Sequence, residues 1–172
     1  MKELILITLL LLISKPSQSQ LLERKSNKEK KFSLTISNLQ SYLGQSSQSL
    51  QSALLGTRFK LLSYDEACNE MGGYYYAKGH FDMYKYPSPI GSYFITVLYK
   101  EPQYKSIDKL YWNSHVVNMK DYMSEIVELE YKEEREKGLT AYYSNYKLQI
   151  TAIIEAKRYT NEVVVTLAKM GR

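Results

Sequence analysis

Ser92-Tyr93-Phe94-Ile95-Thr96-Val97-Leu98-Tyr99-Lys100 is the stretch on which the fold class turns. β-Branched and aromatic residues occupy both parities: Tyr93, Ile95, Val97 and Tyr99 on one, Phe94, Thr96 and Leu98 on the other. A strand with one face in water alternates apolar and polar residues. This one does not, which predicts a central strand with both faces largely covered. Pro102 ends it, and Pro87-Ser88-Pro89-Ile90-Gly91 precedes it as a turn.

Working outward, the next strands are predicted at Arg58–Tyr64, at Tyr74 to about Tyr86 with a break near Gly79, and at Ile107–Trp112. Asp65 to Gly73 reads as a loop. Upstream, Leu39, Leu43, Leu50 and Leu54 recur at helical spacing. Ser37-x-x-Gln40 has capping-box spacing, and Gly56 stands where a glycine ends a helix. Gly44 interrupts this segment, so one broken helix and a helix–turn–helix fit equally. Downstream, Val116, Met119, Met123 and Ile126 form an amphipathic helical stripe. Glu128 to Lys137 fits either a continuation of that helix or an edge strand. Leu139–Ala156 is strand-rich, Lys157–Asn161 is a connection, and Val163–Ala168 alternates as a last strand.

The order of elements repeats. Tyr74-Tyr75-Tyr76 matches Ala141-Tyr142-Tyr143, and Ile95–Lys100 matches Val164–Lys169. The expectation is an α+β protein of two tandem α-β-β-β repeats, residues 33–112 and 113–172, with helices packed on an antiparallel sheet. A unit of about 70 residues makes a marginal core alone, which favours a shared one.

The N-terminus carries a different signal. Lys2 is followed by ten consecutive residues, Leu4 to Ile13, all apolar but Thr8, and Ser17 and Ser19 sit at −3 and −1 of a cleavage before Gln20. Residues 1–19 read as a signal peptide, too short to span a bilayer, and 20–32 as a flexible leader. This implies an exported protein, periplasmic or extracellular, without a membrane-spanning helix. Removal of Lys2, Glu3 and Lys15 lowers the formal charge of +5 by one. That mild balance, with export, argues against a nucleic-acid partner. A polytopic membrane protein, a collagen and a wholly disordered chain are excluded by composition. Cys68 is the single cysteine, so no intramolecular disulfide forms, and its acidic neighbours Asp65, Glu66 and Glu70 disfavour the thiolate.

Element order, carried by Ser37–Gly56 leading into Arg58–Lys100 and by Val116–Val127 leading into Tyr131–Lys169, resembles the tandem-repeat architecture of the secreted bacterial β-lactamase inhibitory protein and related small envelope domains. The resemblance implies a helical hairpin on an antiparallel sheet. It is one of layout and not of motif, so no functional residue is carried over. Those repeats are disulfide-stapled, and a single cysteine departs from that.

Chemistry-bearing motifs are sparse. There is no HExxH, CxxC, GxSxG, P-loop or GxGxxG, and no catalytic residue, metal ligand or cofactor is assigned. Tyrosine is the unusual feature, with 17 in the chain and nine between Tyr74 and Tyr111. Tyrosine offers large contact area at low side-chain entropy with one polar tip. The expected function is a non-catalytic exported binding protein. It would recognise a protein or envelope glycan through a Tyr-rich sheet face, with Tyr74, Tyr76, Tyr84, Tyr86, Tyr93 and Trp112 as candidates. The alternative is a small hydrolase or metal-dependent enzyme using His80 or His115, the only histidines.

Overall fold

The computed structural model describes residues 34–73, 76–88, 91–101 and 106–171. The expected signal peptide and leader, and Tyr74, lie outside these residues. Among the described residues the chain forms four helices and one eight-stranded antiparallel sheet.

The first helical segment resolves into a hairpin. Helix α1 spans Ile36–Tyr42 and α2 spans Ser47–Leu54. Thr35, and not Ser37, is the N-cap of α1, its hydroxyl accepting the Asn38 N–H. Ser46 caps α2 in the same way. Gly44 turns the chain at φ 84°, and a side chain there would also run into Lys169. The turn is stitched to the sheet: Gly44 N–H donates to the Ile107 carbonyl and Ile107 N–H to the Gln45 carbonyl.

Strand β1 is only Lys60–Leu61, shorter than the sequence suggested. Directly after it comes helix α3, Tyr64–Glu70, in place of the expected loop, opened by a complete Ser63/Glu66 capping box. The remaining strands are β2 (Phe81–Ser88), β3 (Gly91–Tyr99), β4 (Ile107–His115), β5 (Lys132–Lys137), β6 (Thr140–Asn145), β7 (Ile150–Ala156) and β8 (Glu162–Lys169). A 3-10 turn at Val116–Asn118 leads into α4, Met119–Glu128. The ambiguous segment after Glu128 is therefore a helix end followed by an edge strand.

Sheet order is β1-β2-β3-β4-β8-β7-β6-β5. Two meanders of four consecutive strands meet edge to edge through β4 and β8, with Leu110 opposite Leu167 and Trp112 opposite Val165. The sheet edges are poor templates for further pairing: β1 is two residues long, and β5, Lys-Glu-Glu-Arg-Glu-Lys, is exposed throughout.

Antiparallel partners share a face, so the registers divide the sheet cleanly. One row runs Tyr84, Ile95, Trp112, Val165, Ile154, Ala141, and the row beside it runs Val97, Leu110, Leu167, Ala152, Tyr143. All eleven are buried. Against this face lie Ile36 and Leu39 of α1, Leu50 and Leu54 of α2, and Tyr122 and Ile126 of α4, all buried. Each fully buried aliphatic or aromatic side chain contributes about 1.5–3 kcal/mol. The deepest ring among them has its polar group satisfied: Trp112 Nε1–H donates to the Tyr122 hydroxyl at 2.7 Å, and Ser114 Oγ lies 2.9 Å from the same oxygen.

Among the described residues the opposite face carries one helix, α3, over a second small core of Ala67, Cys68, Phe81 and Met83. Leu98 packs at its margin on this face, whereas Leu167 is fully buried under the helices. The two segments matched by sequence therefore occupy different places. Ile95–Lys100 lies mainly in β3, one strand out from the centre, and Val164–Lys169 lies in β8, at the centre.

Candidate functional site

Beyond α3, no helix among the described residues covers the second face of the sheet, called the open face below, although Met83, Thr96 and Thr166 on it are buried between larger neighbours. Its central row runs Met83, Thr96, Tyr111, Thr166, Ile153, Tyr142, Arg135. The neighbouring rows bring in Phe94 with Lys85, and Leu98 with Lys109. Three rings on this face each lie under a cation. Lys85 Nζ is 5.6 Å from the Phe94 centroid, Lys109 Nζ 4.9 Å from Tyr111, and the Arg135 guanidinium carbon 4.1 Å from Tyr142. Such pairs hold ring and cation in one place at an attraction of about 0.5–1 kcal/mol each when exposed. Tyr76 joins the group from the segment before β2. Burial, and then a hydrogen bond with Tyr111, raise its phenol above the ordinary value.

A bulge in β5 decides the charge of this face. The register of β5 on β6 shifts between Glu133 and Arg135. As a result Lys132, Arg135 and Lys137 stand opposite Ser144, Tyr142 and Thr140, on the open face. Glu133 and Glu136 stand opposite Tyr143 and Ala141, on the helix face. Their charge there, after burial, helps raise the Tyr143 phenol. Unbroken alternation would have mixed both signs on both faces. The extra residue sorts the three cations to one side and Glu133 and Glu136 to the other. Glu134, the extra residue, accepts a hydrogen bond from the Tyr146 hydroxyl at 2.8 Å.

Most of the sequence-predicted site residues lie elsewhere. Tyr84, Tyr86, Tyr93 and Trp112 are on the helix face and buried, between 0% and 6% exposed. Three of them do converge, but as core: Tyr86 stacks on Tyr93 at 6.3 Å, Tyr93 meets Trp112 edge-on at 5.7 Å, and Phe59 packs against both Tyr86 and Trp112. Tyr84 neighbours a polar knot in which Asp82 accepts hydrogen bonds from Ser47 Oγ at 2.6 Å and from the Tyr99 hydroxyl at 2.5 Å. That knot ties the start of α2 to the sheet. Of the described members of the predicted set, only Tyr76 is on the open face, and it is half-buried. Tyr111 and Tyr142 are absent from that set. Extending the alternation of β6 from a known inward residue would find Tyr142, but nothing in the sequence states which parity is inward.

The histidines do not cooperate. His80 precedes β2 at one end of the sheet and His115 closes β4 at the other. His115 does sit in a small cleft of about 230 Å³ with Ser92 and Glu162, an order reminiscent of a nucleophile, base and acid. Its Nδ1, however, accepts the Val117 N–H at 3.2 Å. The neutral ring then carries its proton on Nε2, and a base beside a serine needs that nitrogen bare while Nδ1–H points at the acid. Glu162 in turn accepts from Thr160. At the far end of the sheet a half-open cleft of about 710 Å³ is lined by Lys100, Lys169, Glu101 and Asp108 among others, with charges of both signs. Among the described residues no three His, Cys, Asp or Glu side chains lie close enough to hold a metal ion, and no helix is long and apolar enough to cross a membrane.

No protein-family model, curated protein or solved structure matches the chain.

Proposed function

We propose that this is an exported, non-catalytic binding protein that engages its ligand through the open face of the sheet. The carrying observation is the asymmetry of the two faces. One is sealed by α1, α2 and α4, and the other presents Phe94, Tyr111 and Tyr142 beneath Lys85, Lys109 and Arg135. The sequence expectation of a tyrosine-bearing recognition face is kept, and its residues are moved to those on the uncovered side. The resemblance of element order to the β-lactamase inhibitory protein favours the same class of function. The shared meander order of β1–β4 and β5–β8 supports a tandem arrangement in which β4 corresponds to β8, a different pairing from the one the sequence segments suggested.

The test is affinity capture with the tagged protein from the cells that make it. Tyr111→Ala and Tyr142→Ala are expected to weaken capture at least about tenfold, as interface rings do, with thermal unfolding little changed. His80→Ala and His115→Ala are expected to be silent. Loss of activity in either histidine variant with its fold intact would replace this reading with the enzymatic one.

A further inference from the structure

We infer that the open face is built for an anionic polymer, and specifically for a carboxylated polysaccharide. The inference rests on the reading that this face is the binding surface, and it names the ligand's chemistry. The first observation is the bulge at Glu134, which assigns Lys132, Arg135 and Lys137 to this face and turns Glu133 and Glu136 away from it. A strand with as many acids as bases thus places three cations on this side, where Glu155 of β7 is paired with Lys157.

The second observation is spacing. Lys109 on β4 and Arg135 on β5 are separated by the intervening β8, β7 and β6. At about 4.8 Å per strand they stand about 19 Å apart across the sheet. Lys85 is two strands beyond Lys109 on the other side, about 10 Å further across by the same spacing. Positive charges strung out over this width match a chain with repeated negative charges better than a single anion. Lys85 is partly neutralised by its ion pair with Glu70, so Lys109 and the β5 cations carry most of the field.

The third observation separates a polysaccharide from an acidic protein. Protein interfaces gain most of their energy from projecting apolar anchors in a dry centre. Among the described residues, the large hydrophobic side chains that are exposed outright, such as Leu55, Val127, Tyr146 and Tyr159, lie in turns, at helix ends or in β1 and not in the strand rows of the open face. There the rings are half-buried, each held under its cation, and Thr140 and Thr151 add hydroxyls between them. This is a mixed cationic and aromatic surface whose strand rows hold no outright-exposed hydrophobic anchor, suited to carboxylates and hydroxyls on an extended chain.

The experiment uses the full chain against immobilised polygalacturonate, poly-L-glutamate and neutral dextran. Retention on polygalacturonate above dextran is expected, weakening about tenfold between 50 and 200 mM salt because exposed charges are screened. Lys109→Ala and Arg135→Ala should each reduce it several-fold, and Lys109→Ala/Arg135→Ala/Lys137→Ala should abolish it. Lys120→Ala, on α4 at the helix side, should leave it unchanged. Equal retention on dextran, or a triple variant that binds like the parent, overturns the inference. Preference for poly-L-glutamate overturns the polysaccharide and leaves an acidic protein. If Tyr111→Ala and Tyr142→Ala abolish capture of the native partner while the triple charge variant keeps it, the face is the binding surface and the anionic ligand is wrong. If the ring variants keep it as well, both readings fall.

Discussion

The carboxylate of Glu125 accepts the backbone N–H of Ile36 at 2.7 Å, from a helix 89 positions further along the chain. Its second oxygen accepts the N–H of Ser37 at 2.9 Å. The start of α1 is thus capped by α4, and a negative charge sits where the helix dipole favours one. Glu125→Ala is expected to cost about 1–2 kcal/mol, the upper part of the usual range for a cap because two donors lose their partner at once. Glu125→Gln keeps one acceptor and should cost less. Denaturant unfolding followed by circular dichroism checks both. An unchanged midpoint for the alanine variant would mean that α1 is held by Ile36 and Leu39 alone.

Tyr122 holds a second polar contact of the helix face, tying α4 to β4. Its hydroxyl serves Trp112 Nε1 and Ser114 Oγ in a site where all three residues are buried. Tyr122→Phe removes one oxygen and leaves the indole N–H without an acceptor. The expected cost is about 1–3 kcal/mol. As Trp112 is the only tryptophan, its emission should also shift in the folded variant. A variant with parental stability and parental emission would show that water or a rotated Ser114 takes over the bond.

These contacts mark the limit of what the sequence could disclose. Composition and punctuation place β3 at residues 92–100, a helical stripe places α4 at 119–126, and alternation places the last strand at 163–168. The pattern misses α3, although Ser63-x-x-Glu66 spells a capping box, because the glycines at 72 and 73 and the acidic residues read as loop. It does not assign faces. Asp82, a charged residue, points to the helix-covered side, while Phe81 and Met83 point away from it, the reverse of a simple inward-apolar rule. Both parities of β3 are apolar because α3 covers part of the second face. The buried aromatics therefore read as surface, and Tyr142 as an ordinary strand residue. The charge sorting by Glu134 depends on one bulge, and a bulge leaves no periodic trace in six charged residues.

Cys68, on the inward side of α3, is 1% exposed, and its accessibility should report on the cap of that helix. The Glu66 carboxyl is held at about 2, chiefly by the Ser63 N–H and then by Lys60. A carboxyl lowered in the folded state contributes stability that is complete above its ordinary value of 4.5 and is lost as pH falls from there through about 2. Labelling by dithiodipyridine, which reacts at acidic pH, is expected to be slow at pH 7 and to accelerate below pH 4. Glu66→Ala should bring that acceleration to neutral pH, and Glu66→Gln, which keeps a capping acceptor, less so. Cys68→Ser should cost about 1 kcal/mol and leave binding intact. Fast labelling of the parent at pH 7 would place the thiol outside the second core.

At the alkaline end the buried phenols set the limit. Burial, and then the charge of Asp82, push Tyr84 up to about 12, and burial alone does the same to Tyr131, whose hydroxyl donates to Gln40. Tyr99, buried and bonded to Asp82, is raised further. In the unfolded chain each ionises near 10.0. Between pH 10 and 12 the unfolded state has therefore lost protons that the folded state still holds. The stability these rings contribute is complete below pH 10 and falls as pH rises toward 12. The expected slope is on the order of 1 kcal/mol per ring for each pH unit, after allowance for solvent screening. Denaturant midpoints at pH 9, 10, 11 and 12 measure it, and absorbance at 295 nm counts the phenolates. Tyr131→Phe should flatten the slope by one ring's share while losing only the bond to Gln40 at neutral pH. Full ionisation of all tyrosines near pH 10 with the far-ultraviolet spectrum intact would show that Tyr84, Tyr99 and Tyr131 are not in a sealed core.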